Sequence, residues 1–87
     1  MSLLDHKPTG RQIAAARTLV GMTQPELAEK AHISVPTLKR MEASAGAATG
    51  LQNNVSAVRA ALEFAGVEFI PENGGGAGVR LRKIGTD

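Results

Sequence analysis

The sequence predicts a small, mainly α domain: four helices followed by a short C-terminal β-hairpin. Three observations predict it. Apolar residues recur at helical spacing in four runs between Gly10 and Gly66. Capping residues open three of these runs, at Thr9, Thr23 and Ser34. After Gly66 the pattern shortens to that of strands, in Val67-Glu68-Phe69-Ile70 and Val79-Arg80-Leu81-Arg82-Lys83. The stretch PENGGGAG between them is a turn.

Each element follows from its residues. Residues 1–8 read as a flexible arm. Thr9-Gly10-Arg11-Gln12 has the T-x-x-Q form of a capping box, so the first helix begins near Gly10. Ile13, Ala16, Arg17 and Val20 share one face of it, and Gly21 is a stop. Thr23-Gln24-Pro25-Glu26 is a second capping box, with Pro25 in the first turn where its missing N–H breaks no bond. Leu27, Ala28 and Ala31 form the buried stripe of this second helix. His32 and Ile33 make the break that follows; His tolerates a left-handed backbone better than most residues. Ser34 caps the third helix and Pro36 lies in its first turn. Leu38 and Met41 point inward. Val35, Pro36, Thr37, Lys39 and Arg40 are left on the other faces.

Ser44 to Gly50 is a loop of small residues. A fourth helix follows, capped by Thr49 or Asn53. Leu51, Val55, Val58, Leu62 and Ala65 run along its buried side, Phe64 lies off that stripe, and Gly66 ends it. The organisation is an arm over 1–8, a helical domain over 9–66 and a hairpin over 67–84.

Composition narrows the function classes. The 87 residues make one small domain with a thin core. The chain has no cysteine, so disulfides, thiolate metal sites and a cysteine nucleophile are excluded. That suits a reducing cytoplasm. The opening lacks a signal-peptide run, and no stretch approaches the roughly 20 apolar residues of a membrane span. Net charge is +2. Residues 1–44 hold six basic and four acidic residues, and residues 45–87 hold four of each, so the excess lies with the first three helices. The lean permits nucleic acid without demanding it.

Several chemistries find no support. GGGAG lies between two strands rather than between a strand and a helix, so it is no phosphate loop. His6 and His32 have no ligand partners at metal spacing, so no metal is expected. No nucleophile, base and acid set is implied, and a thin core leaves little room for a substrate pocket. Neither enzyme activity nor a cofactor is expected.

Two helices joined by a short turn, with small and apolar residues at the crossing, describe a helix-turn-helix. Arg17, Met22-Thr23-Gln24-Pro25-Glu26-Leu27-Ala28, Ala31, Ile33-Ser34, Leu38 and Glu42 carry a closer likeness. On these residues the chain resembles the Xre/Cro-type regulators, which include the phage repressors. The tail resembles the short bacterial form that ends in a strand pair. The resemblance implies a DNA-binding transcriptional regulator whose third helix, about 34–43, is the recognition helix. It implies that Gln24 meets a DNA phosphate and that Thr23 and Ser34 help hold phosphates, as helix N-termini do. It implies that Val35, Pro36 and Thr37 enter the major groove, with Lys39 and Arg40 a turn later. Arg40 suits a bidentate contact to guanine, Thr37 a thymine methyl or base edge, and Lys39 a phosphate. Finally it implies an ion pair between Arg17 and Glu42 that orients the first helix against the third. The family usually has Gly where this chain has His32.

The expected partner is double-stranded DNA, bound by a cytoplasmic, nucleoid-associated homodimer acting as a repressor. The alternative is a protein-interaction module, an antitoxin or antiactivator that uses the same fold to hold a toxin or an activator. Val67, Phe69, Val79 and Leu81 form one apolar face of the hairpin, with Phe64 a natural neighbour. A small core gains little by covering itself with a ribbon, so these five residues are expected to build the dimer interface, by strand pairing or packing on the fourth helix.

Overall fold

The computed structural model describes residues 7–83. Residues 1–6 of the expected arm, His6 among them, and the last hairpin residue, at position 84, lie outside the described residues. Four helices and two strands follow in order: α1 (Gly10–Leu19), α2 (Gln24–Ala31), α3 (Val35–Glu42), α4 (Gln52–Phe64), β1 (Val67–Ile70) and β2 (Gly78–Leu81). The strands form an antiparallel pair in the register Val67↔Leu81, Glu68↔Arg80, Phe69↔Val79 and Ile70↔Gly78.

Local chemistry sets the helix starts. Thr9 Oγ1 accepts from the Gln12 amide at 3.0 Å, and Gln12 Oε1 accepts from the Thr9 amide at 2.8 Å. Thr23 and Glu26 repeat the exchange at the start of α2. Ser34 Oγ accepts from the Thr37 amide at 3.2 Å and opens α3. His32 ends α2 in the left-handed region, at φ 59° and ψ 43°. For an L-residue that conformation costs roughly 1–2 kcal/mol.

The fourth helix starts differently from expectation. Its N-cap is Leu51, which makes no side-chain cap. Asn53 is already inside the first turn. Thr49 is occupied elsewhere: its amide donates to Ser44 Oγ at 3.2 Å and its hydroxyl donates to the Arg40 carbonyl at 3.4 Å. The loop of small residues is thus folded back onto the end of α3. It also pairs with the chain before α1. The Gly10 amide donates to the Gly46 carbonyl at 3.1 Å, and the Ala48 amide to the Pro8 carbonyl at 3.0 Å. Pro8 is buried, so the described chain joins the domain before Thr9. A Cβ on Gly10 would lie 2.3 Å from the Met41 carbonyl oxygen and 2.5 Å from that of Ser44. Only glycine lets α1 approach the end of α3 this closely.

The core joins Ile13 and Ala16 of α1, Leu27, Ala28 and Ala31 of α2, Leu38 and Met41 of α3, and Val55, Val58 and Leu62 of α4. Val67 and Phe69 of β1 complete it. The hairpin's apolar face therefore covers this chain's own helices, contrary to the expectation that a partner takes it. Val67 has no exposed surface, Phe69 is 7% exposed, and Val79 packs partly against them. The helices leave an end of the core open, and the ribbon closes it. Arg59 of α4 sits over the Phe69 ring, 5.4 Å from its centroid, and fastens β1 further. Phe64 does not join the hairpin face: it is 93% exposed. It lies two residues beyond Leu62, about 200° around the helix, so it points away from the core.

Gln12 is the one polar residue that is buried as a whole among the described residues. While its oxygen completes the α1 capping box, its Nε2 donates to the Ile70 carbonyl at 3.1 Å and the Gly78 carbonyl at 2.9 Å. Ile70 and Gly78 are the last pair of the ladder at the turn end. Gln12→Leu leaves these carbonyls and the Thr9 amide short of a partner. We expect it to lower stability by about 2–3 kcal/mol and to speed amide exchange in the hairpin first. Equal protection in both proteins would contradict the clamp. His32→Gly relieves the left-handed strain without removing a contact of the core. A melting temperature raised by about 3–6 °C is the expected outcome, in thermal unfolding followed by circular dichroism.

Candidate nucleic-acid interface

The first turns of α2 and α3 and the outer side of α3 hold the eight residues singled out for DNA. Thr23, Pro36, Lys39, Arg40 and Ser34 are exposed, while Gln24, Val35 and Thr37 are half-buried. Val35 departs from the outward placement expected of it, because it packs partly against the core. It stands three residues before Leu38, on the same side of the helix.

The side chains along α3 form a chain of contacts. Ser34 Oγ accepts the Thr37 amide and donates its proton to Thr37 Oγ1 at 2.8 Å. Arg40 Nη2 reaches the same Thr37 oxygen at 3.4 Å. Ser34 thus commits its hydroxyl proton inside the helix, and the Thr37 hydroxyl proton is the one left to point outward. Arg40 is drawn back along the helix toward the first turn, with four of its five N–H groups still available. Lys39 stands beside it in solvent.

At the start of α2 the capping box occupies both Thr23 and Glu26. Hydrogen bonds from the Thr23 amide, then its hydroxyl, hold the Glu26 carboxyl below its ordinary pKa. Pro25 has no amide to offer, which leaves that of Gln24 as the free donor of this first turn.

Behind the two helix starts lies the Arg17–Glu42 pair. Arg17 Nε donates to Glu42 Oε2 at 2.8 Å and Nη2 to Oε1 at 3.1 Å, a side-on bidentate pair. Arg17 Nη1 also donates to the Met22 carbonyl at 3.0 Å, in the turn between α1 and α2. Glu42 receives a third bond, from Gln24 Nε2 at 3.0 Å. Its side chain is only 7% exposed. One carboxylate thereby joins α1, α2 and α3.

The sequence profile of the helix-turn-helix family matches residues 13–51. Over this segment the chain is similar to the Xre/Cro-type helix-turn-helix family. The match supports a DNA-binding transcription regulator. The match runs from α1 to the residue before α4 and takes in every residue considered above. No curated protein matches the chain. The hairpin lies outside the matched segment. Among the described residues no helix is long and apolar enough to cross a membrane, and no group of three or more His, Cys, Asp or Glu is placed to hold a metal.

Three contacts of the helix-turn-helix domain escaped sequence reasoning. They are the Gln24–Glu42 bond, the Ser34–Thr37–Arg40 chain and the closure of the loop by Ser44 and Thr49. The first has no local signal, since 18 residues separate its partners. The second has one: Ser34, Thr37 and Arg40 are spaced by three, which stacks them on one helix face.

Arg17→Ala strands Glu42 with only Gln24 as a donor. It should cost about 3 kcal/mol, or roughly 15 °C in melting temperature for a domain of this size. An unchanged melting curve would show that the pair contributes nothing to the fold.

Proposed function

We propose that this chain is a sequence-specific transcriptional repressor that works in the cytoplasm as a homodimer on a near-palindromic site. Two copies of α3 enter successive major grooves about one helical turn apart and repress by occupancy. Arg40 reads a guanine edge and Thr37 a neighbouring base. Lys39, Gln24 and the first-turn groups at Thr23 and Ser34 hold phosphates, which positions the helix without specifying sequence. Pro36 gives the exposed front of α3 its shape, and Val35 anchors that turn to the core.

The observation that carries this reading is the exposed face of α3. An arginine and a lysine stand there beside a threonine hydroxyl, over a helix start held rigidly by Ser34. A merely solvated face has no need of side chains bonded in series.

The dimer surface differs from the whole hairpin face, because Val67 and Phe69 belong to the monomer's core. Phe64 at 93% exposure and Leu81 at 55% remain. Leu19 and Leu51 are exposed elsewhere among the described residues, but of the five residues expected at the interface Phe64 and Leu81 are the exposed ones. The same pair is what favours the other reading, in which the chain holds a toxin or an activator. Duplex affinity separates the two: a module that binds only protein shows none at low salt.

The test is titration of the full chain onto DNA from upstream of its own gene, at several salt concentrations. We expect affinity to fall steeply with salt and two chains to bind per site. Arg40→Ala should lose roughly 1–3 kcal/mol of specific affinity and relax one base position. Lys39→Ala should weaken all duplexes alike and reduce the salt slope by about one. Phe64→Ser should sediment as a monomer at tens of micromolar where the parent chain is a dimer. Retention of base preference by Arg40→Ala would remove it as a reader, and a monomeric parent chain would remove the dimer.

A further inference from the structure

The bond between Gln24 and Glu42 assigns the ion pair a second task. We propose that Glu42 is a positioning residue for DNA binding: it fixes the Gln24 side-chain amide so that a free N–H faces the phosphate. This rests on the reading that Gln24 meets a phosphate.

A glutamine amide can present either its oxygen or its nitrogen, and only the nitrogen attracts a phosphate. Glu42 Oε1 lies 3.0 Å from Gln24 Nε2. A carboxylate only accepts hydrogen bonds, so it admits the nitrogen and rejects the oxygen. The nitrogen carries two hydrogens. One is committed to Glu42, and the other remains, roughly 120° away, for a ligand. It lies at the first residue of α2, beside the free Gln24 backbone amide and the positive end of the helix dipole. Both donors belong to Gln24, so a single phosphate can take both.

The carboxylate itself is held still. Arg17 grips both of its oxygens, at 2.8 and 3.1 Å. The same grip offsets the charge that would otherwise repel a phosphate nearby. Arg17 is in turn fixed by the Met22 carbonyl, one residue before the α2 cap. The order of support runs from Met22 to Arg17, to Glu42, to Gln24. Gln24 then enters the complex with its side-chain torsions already set, and binding loses less entropy.

The test is a double-mutant cycle on duplex affinity, with Gln24→Ala, Glu42→Gln and both, each checked for folding by circular dichroism. In Glu42→Gln one carboxylate oxygen becomes an NH2 donor: in the place of Oε2 it meets Arg17 Nε donor to donor, and in the place of Oε1 it opposes both Arg17 Nη2 and Gln24 Nε2, so the three-donor junction is lost either way. We expect each single variant to weaken binding to all duplexes by about fivefold, and the double variant to be no weaker than either. Additive losses would overturn the proposal, since Glu42 would then act only through the fold. No loss in Gln24→Ala, with Glu42 intact, would instead remove the phosphate contact beneath it. A measurement on the parent protein covers the case in which Glu42→Gln fails to fold. In a ¹⁵N-labelled chain, the two Gln24 side-chain protons should be distinct before DNA is added, one of them protected from solvent. On duplex addition the other should shift. Behaviour like that of exposed Gln52 in the free protein would sink the idea.

Discussion

The carboxylate of Glu42 is the constraint on which the arrangement of the first three helices depends. It sits at the last residue of α3, takes two bonds from α1 and one from the start of α2, and is almost wholly removed from water. Isolated, such a charge would be costly to bury. With three donors it becomes a fixed junction. Buried pairs of this kind add little net stability compared with an apolar replacement. Their value is geometric, because the bidentate fork accepts one mutual orientation and penalises the rest. A DNA reader needs that more than it needs stability. On the function proposed above, its two helix starts meet a phosphate and a groove at once, so their mutual orientation matters.

The rest of the fold solves a problem of size. A core assembled from α1 to α4 buries small residues at its crossings, Ala16, Ala28 and Ala31, and leaves an end uncovered. Two strands with Val67 and Phe69 on one face close that end. An isolated hairpin is unstable in water. This one is stabilised by the core beneath it, by Arg59 over the Phe69 ring, by the Glu68–Arg80 pair across the strands and by Gln12.

What the sequence made legible was local. Both capping boxes, the Ser34 cap and the stripes of α1 to α4 depend on residues three or four apart, and their spacing alone suggests them, although Leu51 and Ala65, the expected ends of the α4 stripe, lie at or beyond the helix ends and are exposed. The Arg17–Glu42 pair was legible only through family resemblance, since 25 residues separate its partners. Contacts without such a guide stayed hidden. Gln12 reads as a capping residue, and nothing nearby says that its nitrogen serves carbonyls 58 and 66 residues away. Gly10 reads as an indifferent first residue until the end of α3 is laid against it. The hairpin was foreseen as an element and mistaken in its allegiance. Alternation shows that Val67 and Phe69 share a face, but not whose core they enter. Phe64 differs from expectation for a related reason: the same turn of α4 that takes it off the stripe carries it into solvent.

Gln12 has a bearing on how the molecule opens. Its oxygen belongs to the first turn of α1 and its nitrogen to the far end of the hairpin, so neither can fray while the other holds. Next to it, Gly10 touches the end of α3 and pairs with the loop that follows. Helix start, ribbon and loop thus make one cooperative unit. A chain this small would ordinarily breathe from its ends, losing the terminal strands first and the helices later. Here the C-terminal ribbon is fastened to α1, so the two ends of the described chain hold each other in place.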